Sequence, residues 1–424
     1  MSSTFDKPHA LNRLPVTRTE TCRACKTPLI SFFDFGMMPL ANGFLFPNQV
    51  ADEKFYHLVS AVCPSCFLVQ LLEQPMPDSM FHDQYPFFTS SSKEMTVHFQ
   101  KTALEIHKKL LSFSPNPFVI EIGSNDGTFL HAMQQLGSKC LGIEPSQGPA
   151  QRAKQLGLEV DSRFFNPQTA ASIQQTHGNA DLIYAANAIC HISDIHSVFT
   201  GIKSLLQPDG FFIFEDPYWL DVLEKKSIDQ IYDEHAYLFH AHAIEKIASQ
   251  NGLKLFHAER INTHGGSLRY FLCADHQREQ SKELLSILEK EQETGLNQLE
   301  TYHEFRLACL EQLNQLHRLL TDLTMRQKSI AGYAATSKST TLLHLLNLNT
   351  SIIPWICDST PEKQGKLTPG THIPIVSPKF FHENYPDCAI LFAYNHEKEI
   401  FEKETDFRLQ GKQWISYVPS VRIL

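Results

Sequence analysis

The chain has 424 residues, of which 42% are hydrophobic and 20% charged, as is typical of globular domains. This composition excludes a disordered chain, and the length predicts two or three domains. Aspartate and glutamate (46) outnumber lysine and arginine (37), which leaves a net charge of −9 and argues against a nucleic-acid partner. No signal-like segment or apolar run of about 20 residues occurs, so we expect a cytoplasmic protein that does not enter a membrane.

Two CxxC pairs near the N-terminus, Cys22/Cys25 and Cys63/Cys66, predict a metal site. Each pair can bind one ion from a tight turn, and four thiolates complete the tetrahedral coordination of Zn²⁺ without an open position for chemistry. Four unconnected core cysteines would not explain two equal spacings, and a redox motif needs only one pair. We therefore expect structural zinc. The other cysteines are expected to be buried thiols: Cys140, Cys190, Cys273, Cys309, Cys357 and Cys388.

Short apolar runs separated by helical stretches begin near Phe118 and predict an α/β fold with a doubly wound parallel sheet. The runs are FVIEI, KCLGIEP, ADLIYAAN, GFFIFED, LKLFHAERI and LRYFLCA. The turn NTHGGS between the last two runs is too short for a crossover helix, so these two strands should be antiparallel. Five parallel strands that end in an antiparallel hairpin are typical of the class I (Rossmann-like) methyltransferase fold.

The remaining third of the chain predicts a helical connector followed by a second α/β domain. Leucines spaced three and four residues apart predict a helix from about 277 to 328, interrupted at Gly295: Leu307, Leu310, Leu313, Leu316, Leu320 and Leu323. This helix could be a packed connector or a dimerising coiled coil. We expect four units: a zinc-binding module (1–75), a methyltransferase domain (76–276), the connector (277–328) and a C-terminal α/β domain (329–424).

The GSNDG turn after the first of these strands is a candidate cofactor site. Its glycines would let the backbone approach a ligand, and its Asn and Asp could cap the next helix and offer polar contacts. The turn lacks the GxGxxG array and carries an acid, which favours a cofactor with a cationic amino-acid part over a diphosphate. Glu144, at the end of the second strand, can accept both hydroxyls of a ribose. The residues predicted to bind S-adenosylmethionine are Gly123, Ser124, Asn125, Asp126, Gly127, Glu144, Ser146 and Asn187.

The reacting group is expected just beyond the fifth strand, at the carboxyl edge of the sheet. There the segment IYDEHAY carries Tyr232, Glu234 and His235, and His191 follows the fourth strand. Histidine has the pKa of a general base near neutrality, and a neighbouring carboxylate or phenol can orient it. A separate turn, HGGSLR, could bind a phosphate or sugar through three side chains: His264, Ser267 and Arg269.

Motifs along almost the whole chain resemble one known family, the deoxysugar C-methyltransferases. They include CPSCFLVQL, EIGSNDGT, IYDEHAYLF, HGGSLR and GYAATSKSTTLLH, in this order. The resemblance implies a zinc module, a central S-adenosylmethionine domain and a C-terminal domain that helps to hold a nucleotide sugar. The implied substrate is a dTDP-linked or other NDP-linked 4-keto-deoxyhexose that is methylated at C3.

The resemblance also implies roles for individual residues. It identifies His235 as the general base that removes the C3 proton to form an enolate, surrounded by Tyr232, Glu234, His191 and Tyr85. It implies that Tyr333, Lys338 and Asn395 contact the substrate. Three alternatives stay open: a sugar O-methyltransferase, a non-catalytic nucleotide-sugar scaffold, and a nicotinamide oxidoreductase that would use the GYAATSK turn. The chain could act as a monomer or a homodimer.

Overall fold

A computed structural model describes residues 12–81, 88–275 and 278–424. The N-terminal part is a small β-rich module that ends in a short helix. Its elements are β1 (Asn12–Arg13), β2 (Val16–Arg18), β3 (Ile30–Pro39), β4 (Lys54–Val62), β5 (Val69–Leu71), β6 (Glu73–Pro75) and α1 (Pro77–Met80). The long hairpin of β3 and β4 is antiparallel, and β5 continues the sheet on the other edge of β4.

The central part is an α/β domain built on a seven-stranded sheet. Its elements are α2 (Lys93–Ile106), β7 (Phe118–Ile122), α3 (Thr128–Gln135), β8 (Lys139–Ile143), α4 (Gln147–Gln155), β9 (Glu159–Asp161), α5 (Pro167–His177), β10 (Ala180–Ala186), α6 (Ile195–Leu205), β11 (Leu206–Pro217), α7 (Trp219–Lys225), β12 (Tyr237–Leu238), α8 (Ala241–Gln250), β13 (Lys254–Ile261) and β14 (Ser267–Cys273).

The strand order β13-β14-β11-β10-β7-β8-β9 confirms the predicted class I methyltransferase topology. Strands β7 to β11 run parallel, and β14 is antiparallel to both of its neighbours. The predicted antiparallel hairpin is thus β13 and β14. The strand order reverses beside β7, so the carboxyl ends of β7 and β10 open a crevice of the kind in which α/β proteins bind ligands.

Two helices connect the central sheet to a third, smaller sheet. The helices are α9 (Lys282–Glu293) and α10 (Leu299–Met325), and the chain between them turns at Gly295, where φ is +77°. The C-terminal elements are β15 (Ile330–Tyr333), α11 (Ser337–Leu345), β16 (Ile356–Cys357), β17 (Ile375–Val376), α12 (Pro378–Glu383), β18 (Cys388–Leu391), α13 (Glu397–Lys403), α14 (Thr405–Leu409), β19 (Gln413–Ser416) and β20 (Arg422–Ile423).

The C-terminal sheet repeats the doubly wound plan of the central one. Its strand order is β17-β16-β15-β18-β19-β20, parallel except for β20. The order reverses between β15 and β18, which opens a second ligand crevice at the carboxyl ends of these strands. Among the described residues, no helix is both long enough and apolar enough to cross a bilayer.

Helix α10 packs along both α/β domains. Its first half contributes Tyr302, Phe305 and Cys309 to the core under the central sheet. Its second half contributes leucines to the core of the C-terminal domain: Leu313, Leu316, Leu320 and Leu323. The predicted packing face is correct for these leucines but wrong for Leu307, which is half exposed because the helix turns that position to solvent.

The N-terminal module and the central domain share one hydrophobic core and one sheet. Buried side chains of β3, β4 and β5 belong to the same cluster as those of β7, β10 and β11. In addition, β5 pairs with β12 of the central domain, and the backbone N–H of Leu71 donates to the carbonyl of Ala236. The module is therefore joined to the segment that directly follows His235.

Two leucines on α10 test how much this helix stabilises the molecule. Leu316→Ala should lower the free energy of unfolding by about 2–5 kcal/mol, because it leaves a cavity in the C-terminal core. Leu307→Ala, the same substitution on the exposed face, should change it by less than about 0.5 kcal/mol. Denaturant unfolding of both variants measures the difference, and equal losses would show that α10 does not pack as described.

Candidate active site

A cavity of about 640 Å³ lies between the carboxyl ends of the central and C-terminal sheets. The central domain lines it with the turns after β7, β8 and β10 and with the segment that contains His235. The C-terminal domain lines it with the turns after β15, β16 and β18, and the N-terminal module contributes Asn42, Pro77 and Phe81. All three parts of the chain therefore build one site.

Most of the predicted cofactor residues meet in the half of the cavity formed by the central domain. Six line it: Gly123, Ser124, Asn125, Glu144, Ser146 and Asn187. The carboxylate of Glu144 accepts from the backbone N–H groups of Asn125 (3.0 Å) and Ser146 (2.7 Å), which fixes its position at the end of β8. Burial raises the pKa of Glu144. A ribose diol could reach this carboxylate, as predicted.

Two members of the predicted cofactor set have other roles. Gly127 does not line the cavity, and a Cβ there would lie 2.4 Å from Leu158 and 3.1 Å from the Cβ of Ala153 in α4, so this glycine permits close packing of α4. Asp126 also lies off the cavity, where it accepts hydrogen bonds from Ser90 N–H (2.8 Å) and Thr128 Oγ1–H (2.7 Å). The expected cap is wrong as well, since the N-cap position of α3 is Gly127.

Glu121 is a cavity residue that the sequence prediction missed. It lies in β7, is 4% exposed, and has one carboxyl oxygen without a hydrogen-bond partner among the described residues. Burial and the nearby Asp126, Glu144 and Glu215 raise its pKa well above the usual value. A cationic cofactor would relieve this crowding of acids. The signal was present in the sequence as a carboxyl group in the middle of an otherwise apolar strand.

The His235 ring is buried, lines the same cavity and is held in one tautomer. Its Nδ1 lies 2.7 Å from the carbonyl oxygen of Gln230, which can only accept, so Nδ1 carries the proton. Nε2 therefore has the lone pair, and the hydroxyl of Tyr232 donates to it at 2.9 Å. Burial, with a smaller contribution from His191, holds the pKa of His235 well below its usual value. A neutral imidazole is the form that a general base requires, and Nε2 can take up a proton when the Tyr232 hydroxyl turns away from it.

The other predicted partners of the base surround it. The ring of His191 stacks on that of His235, with centroids 5.5 Å apart, and on Phe81 on its other side. Burial lowers the pKa of His191 to about 3. Glu234 also lines the cavity and accepts a hydrogen bond at 2.7 Å from Asn42 Nδ2 of the N-terminal module. Tyr85 lies outside the described residues.

The three candidate residues of the HGGSLR segment lie partly in the cavity and partly in the sheet. His264 lines the cavity, but Ser267 and Arg269 lie in β14 and do not. Arg269 donates to Glu215 (2.7 Å) and Glu259 (3.1 Å). Although burial opposes it, this pairing and His98 lower the pKa of Glu215 to about 2. The polar groups of both residues bond within the protein: Ser267 Oγ–H donates to the carbonyl of Thr263 (3.1 Å), and Arg269 neutralises the buried carboxylate of Glu215 on the neighbouring strand.

The three predicted C-terminal residues, Tyr333, Lys338 and Asn395, line the other half of the cavity. The Tyr333 hydroxyl donates a hydrogen bond to Glu404 at 2.7 Å. Lys338 is buried on α11, donates to the carbonyl of His264 at 3.0 Å, and has its pKa lowered to about 8 by burial. Lys363 and Lys403 also line this half, which makes it suited to an anionic group.

The four predicted zinc ligands come together on one side of the N-terminal module. The sulfur atoms of Cys22, Cys25, Cys63 and Cys66 all lie within 4.8 Å of one another. The separations are 3.6 Å for Cys22–Cys66 and 3.3 Å for Cys25–Cys63. Sulfurs at tetrahedral zinc lie about 3.8 Å apart, so this cluster fits the ion. Of the other six cysteines, five are buried and Cys140 is half-buried, and all six are free thiols.

Comparison with known proteins gives matches to three family models and to one curated relative of nearly the same length. Residues 22–81 match a "Putative zinc binding domain", 97–258 a "Methyltransferase domain" and 262–419 a "C-methyltransferase C-terminal domain". The C-methyltransferase NovU of Streptomyces niveus is 30% identical over 96% of this chain and 97% of its own.

More distant matches cover only part of the chain. The ubiquinone biosynthesis O-methyltransferase of Actinobacillus pleuropneumoniae is 29% identical over 23% of this chain and 44% of its own. Among solved structures, magnesium protoporphyrin IX methyltransferase from Synechocystis, with bound SAM, matches 42% of this chain and 81% of its own at 16% identity and a TM-score of 0.33.

Removing one zinc ligand tests the metal site. Cys66→Ser should lose the bound zinc and lower the melting temperature, because three thiolates leave the tetrahedral set incomplete. Elemental analysis and thermal unfolding measure the two effects. Cys140→Ser, a half-buried thiol outside the cluster, is the matched control and should keep about one zinc per chain. Equal zinc contents in the two variants would contradict the assignment.

Proposed function

Since the chain belongs to the C-methyltransferase family and is S-adenosylmethionine-dependent, we propose that its acceptor is C3 of a nucleotide-linked 4-keto-deoxysugar. In this proposal, residues 1–75 bind structural zinc, 76–276 bind the cofactor and supply the base, 277–328 connect the domains, and 329–424 hold the nucleotide. The observation that carries it is the neutral, oriented His235 in the same cavity as Glu144.

The chemistry of a 4-keto sugar matches this base. The C4 carbonyl acidifies the hydrogen on C3, and His235 Nε2 takes that proton while the C3–H electrons form an enolate. S-adenosylmethionine would supply an electrophilic methyl group: the C3–CH3 bond would form as the S–CH3 bond breaks, and the neutral thioether S-adenosylhomocysteine would leave. His235 gains the proton at Nε2 and keeps its Nδ1–H bond to the Gln230 carbonyl, so the imidazolium stays oriented.

Two neighbouring groups could stabilise the enolate oxygen. Tyr232 keeps its proton because burial and the nearby Glu234 raise its pKa well above the usual value. When Nε2 of His235 takes the C3 proton, the Tyr232 hydroxyl loses its acceptor there and can donate to the enolate oxygen instead. His191 is neutral and lies beside the base, where one ring N–H can also donate. Preorganised donors of this kind often supply the largest part of a rate enhancement. These are the roles we propose for Tyr232 and His191.

The C-terminal half of the cavity favours a substrate that carries a nucleotide diphosphate. Its crevice lies at the switch point of a doubly wound sheet, where nucleotides commonly bind. Three lysines line it: Lys338, Lys363 and Lys403. Lys363 pairs with Asp358 at 3.8 Å. Two acids of this domain, Asp358 and Glu399, line the same half, so three lysines against two carboxylates leave an excess of one positive charge, which favours an anionic substrate.

Methyl transfer to a panel of sugars tests the proposal. Purified protein, labelled S-adenosylmethionine and NDP-4-keto-deoxysugars should give a product whose label is at C3 by NMR. The C4 ketone also acidifies C5, so label at C5 would overturn the position but not the enolate. Label on oxygen would identify a sugar O-methyltransferase, and absence of transfer with all sugars would refute the substrate class.

The base is tested by hydrogen exchange without methyl transfer. In D₂O, the wild type should wash deuterium into C3 of the 4-keto sugar, and His235→Asn should lower both exchange and turnover by about 10²–10⁴-fold. Cofactor binding, measured by calorimetry, should persist. His317→Asn, on the exposed face of α10, is the control and should behave as wild type. Full turnover by His235→Asn would disprove the assigned role.

The pH dependence follows from the lowered pKa of His235. Its neutral form persists below the usual histidine pKa of about 6.5, so the acid limb of kcat/KM should lie below that value. Activity should fall only as the pH drops through the lowered pKa. Steady-state rates between pH 5 and 8, with circular dichroism to verify folding, measure this limb. A midpoint at or above about 6.5 would contradict a buried neutral base.

A further inference from the structure

Gln230 combines a contact to the base with an unused hydrogen-bond acceptor. It ends the short helical turn Ile228–Gln230, is 1% exposed, and lines the cavity. Its backbone carbonyl accepts a hydrogen bond from Nδ1 of His235 at 2.7 Å, so Gln230 is the residue that orients the base. Gln230 is therefore a cavity residue that lies one hydrogen bond away from the base.

One hydrogen bond determines the orientation of the Gln230 side-chain amide. Its nitrogen, Nε2, lies 2.5 Å from the carbonyl oxygen of His264. Because a backbone carbonyl can only accept, the atom facing it must be the nitrogen. The oxygen, Oε1, is then the other end of the amide, and it is buried without a hydrogen-bond partner among the described residues. A buried carbonyl oxygen without a donor is unfavourable unless a ligand supplies one.

The turn that carries Gln230 is held by the C-terminal domain. The carboxylate of Asp229 accepts from the hydroxyls of Tyr394 (3.1 Å) and Tyr417 (2.6 Å), and the Ile231 carbonyl accepts from Thr341 Oγ1–H (3.3 Å). These bonds flank Gln230 on both sides. The backbone of this turn is therefore held in place, and because the Gln230 side chain lines the cavity, a substrate there can supply the missing donor.

We infer that Gln230 is a specificity residue whose Oε1 accepts a hydrogen bond from a hydroxyl group of the sugar. The inference rests on the proposed function and names the substituent that the site selects. C4 carries the carbonyl, so the hydroxyl lies on C3 itself or on the adjacent C2. A protonated amine is disfavoured there, because the Lys338 ammonium donates to the same His264 carbonyl that holds the Gln230 amide.

A matched set of sugars tests this selection. The wild type is assayed with dTDP-4-keto-6-deoxyglucose, which has hydroxyls at C2 and C3, and with its 2-deoxy, 3-deoxy and 3-amino analogues. One deoxy analogue should lose roughly 10- to 100-fold in kcat/KM, since it leaves Oε1 unpaired. The amino analogue should also react more slowly than its hydroxy parent. Equal kcat/KM values for the hydroxy sugar and both deoxy analogues would overturn the inference, whatever any variant does.

Substitutions at Gln230 distinguish the contribution of its side chain from that of its backbone carbonyl. Gln230→Met keeps the length of the side chain and the backbone bond to His235 but removes the acceptor. It should bring the hydroxy-to-deoxy ratio close to one and leave the acid limb of kcat/KM in place. Gln230→Glu keeps acceptor oxygens and should keep the preference for the hydroxy sugar. A Met variant that retains the wild-type ratio would refute the role.

The chain offers a closely matched control in Gln312. It is another buried glutamine whose Nε2 donates to a backbone carbonyl, that of Tyr417, and whose Oε1 has no partner among the described residues, but it does not line the cavity. Gln312→Met should leave the sugar ratio at the wild-type value. Methyl transfer to none of these sugars would refute the proposed function. In that case, equal equilibrium binding of the hydroxy and deoxy sugars to the wild type would refute the Gln230 role separately.

Discussion

The hydrogen bond between Nδ1 of His235 and the carbonyl of Gln230 is the contact on which the site depends. Buried imidazole without this acceptor could adopt either tautomer, and its lone pair would have no defined direction. With it, the lone pair at Nε2 faces Tyr232, and burial keeps the ring neutral. The backbone carbonyl thereby determines where a proton can be taken up, and burial determines which protonation state is available to take it.

All three parts of the chain stabilise the segment that makes this bond. From the N-terminal module, β5 pairs with β12, and the backbone N–H of Ala41 donates to Asp233 at 2.9 Å. From the C-terminal domain, Tyr394 and Tyr417 hold Asp229. The segment from 229 to 238 is thus a junction rather than a surface loop. Because its neighbours come from distant parts of the sequence, the base is positioned only when the whole chain has folded.

The two halves of the cavity have opposite electrostatic character. Glu121 and Glu144 lie in the half formed by the central domain, where burial raises the pKa of both. Lys338, Lys363 and Lys403 line the half formed by the C-terminal domain. In the proposed function, these halves hold the sulfonium cofactor and the anionic nucleotide sugar, in that order. His235 lies between them, where carbon and methyl donor would have to meet.

The sequence alone determined the features that depend on local pattern: the two CxxC pairs, the parallel sheet that ends in an antiparallel hairpin, and the acids and histidines that follow strands. Spacing and periodicity encode these, because neighbours in the chain are neighbours in space.

Tertiary structure alone decided which side chains face the cavity. Arg269 pairs with Glu215 across β14 and β11, Gly127 packs on α4, Glu121 lines the site from within an apolar strand, and Gln230 lines it although no motif included it. These outcomes depend on strand register and on contacts between distant segments, which a linear pattern does not contain.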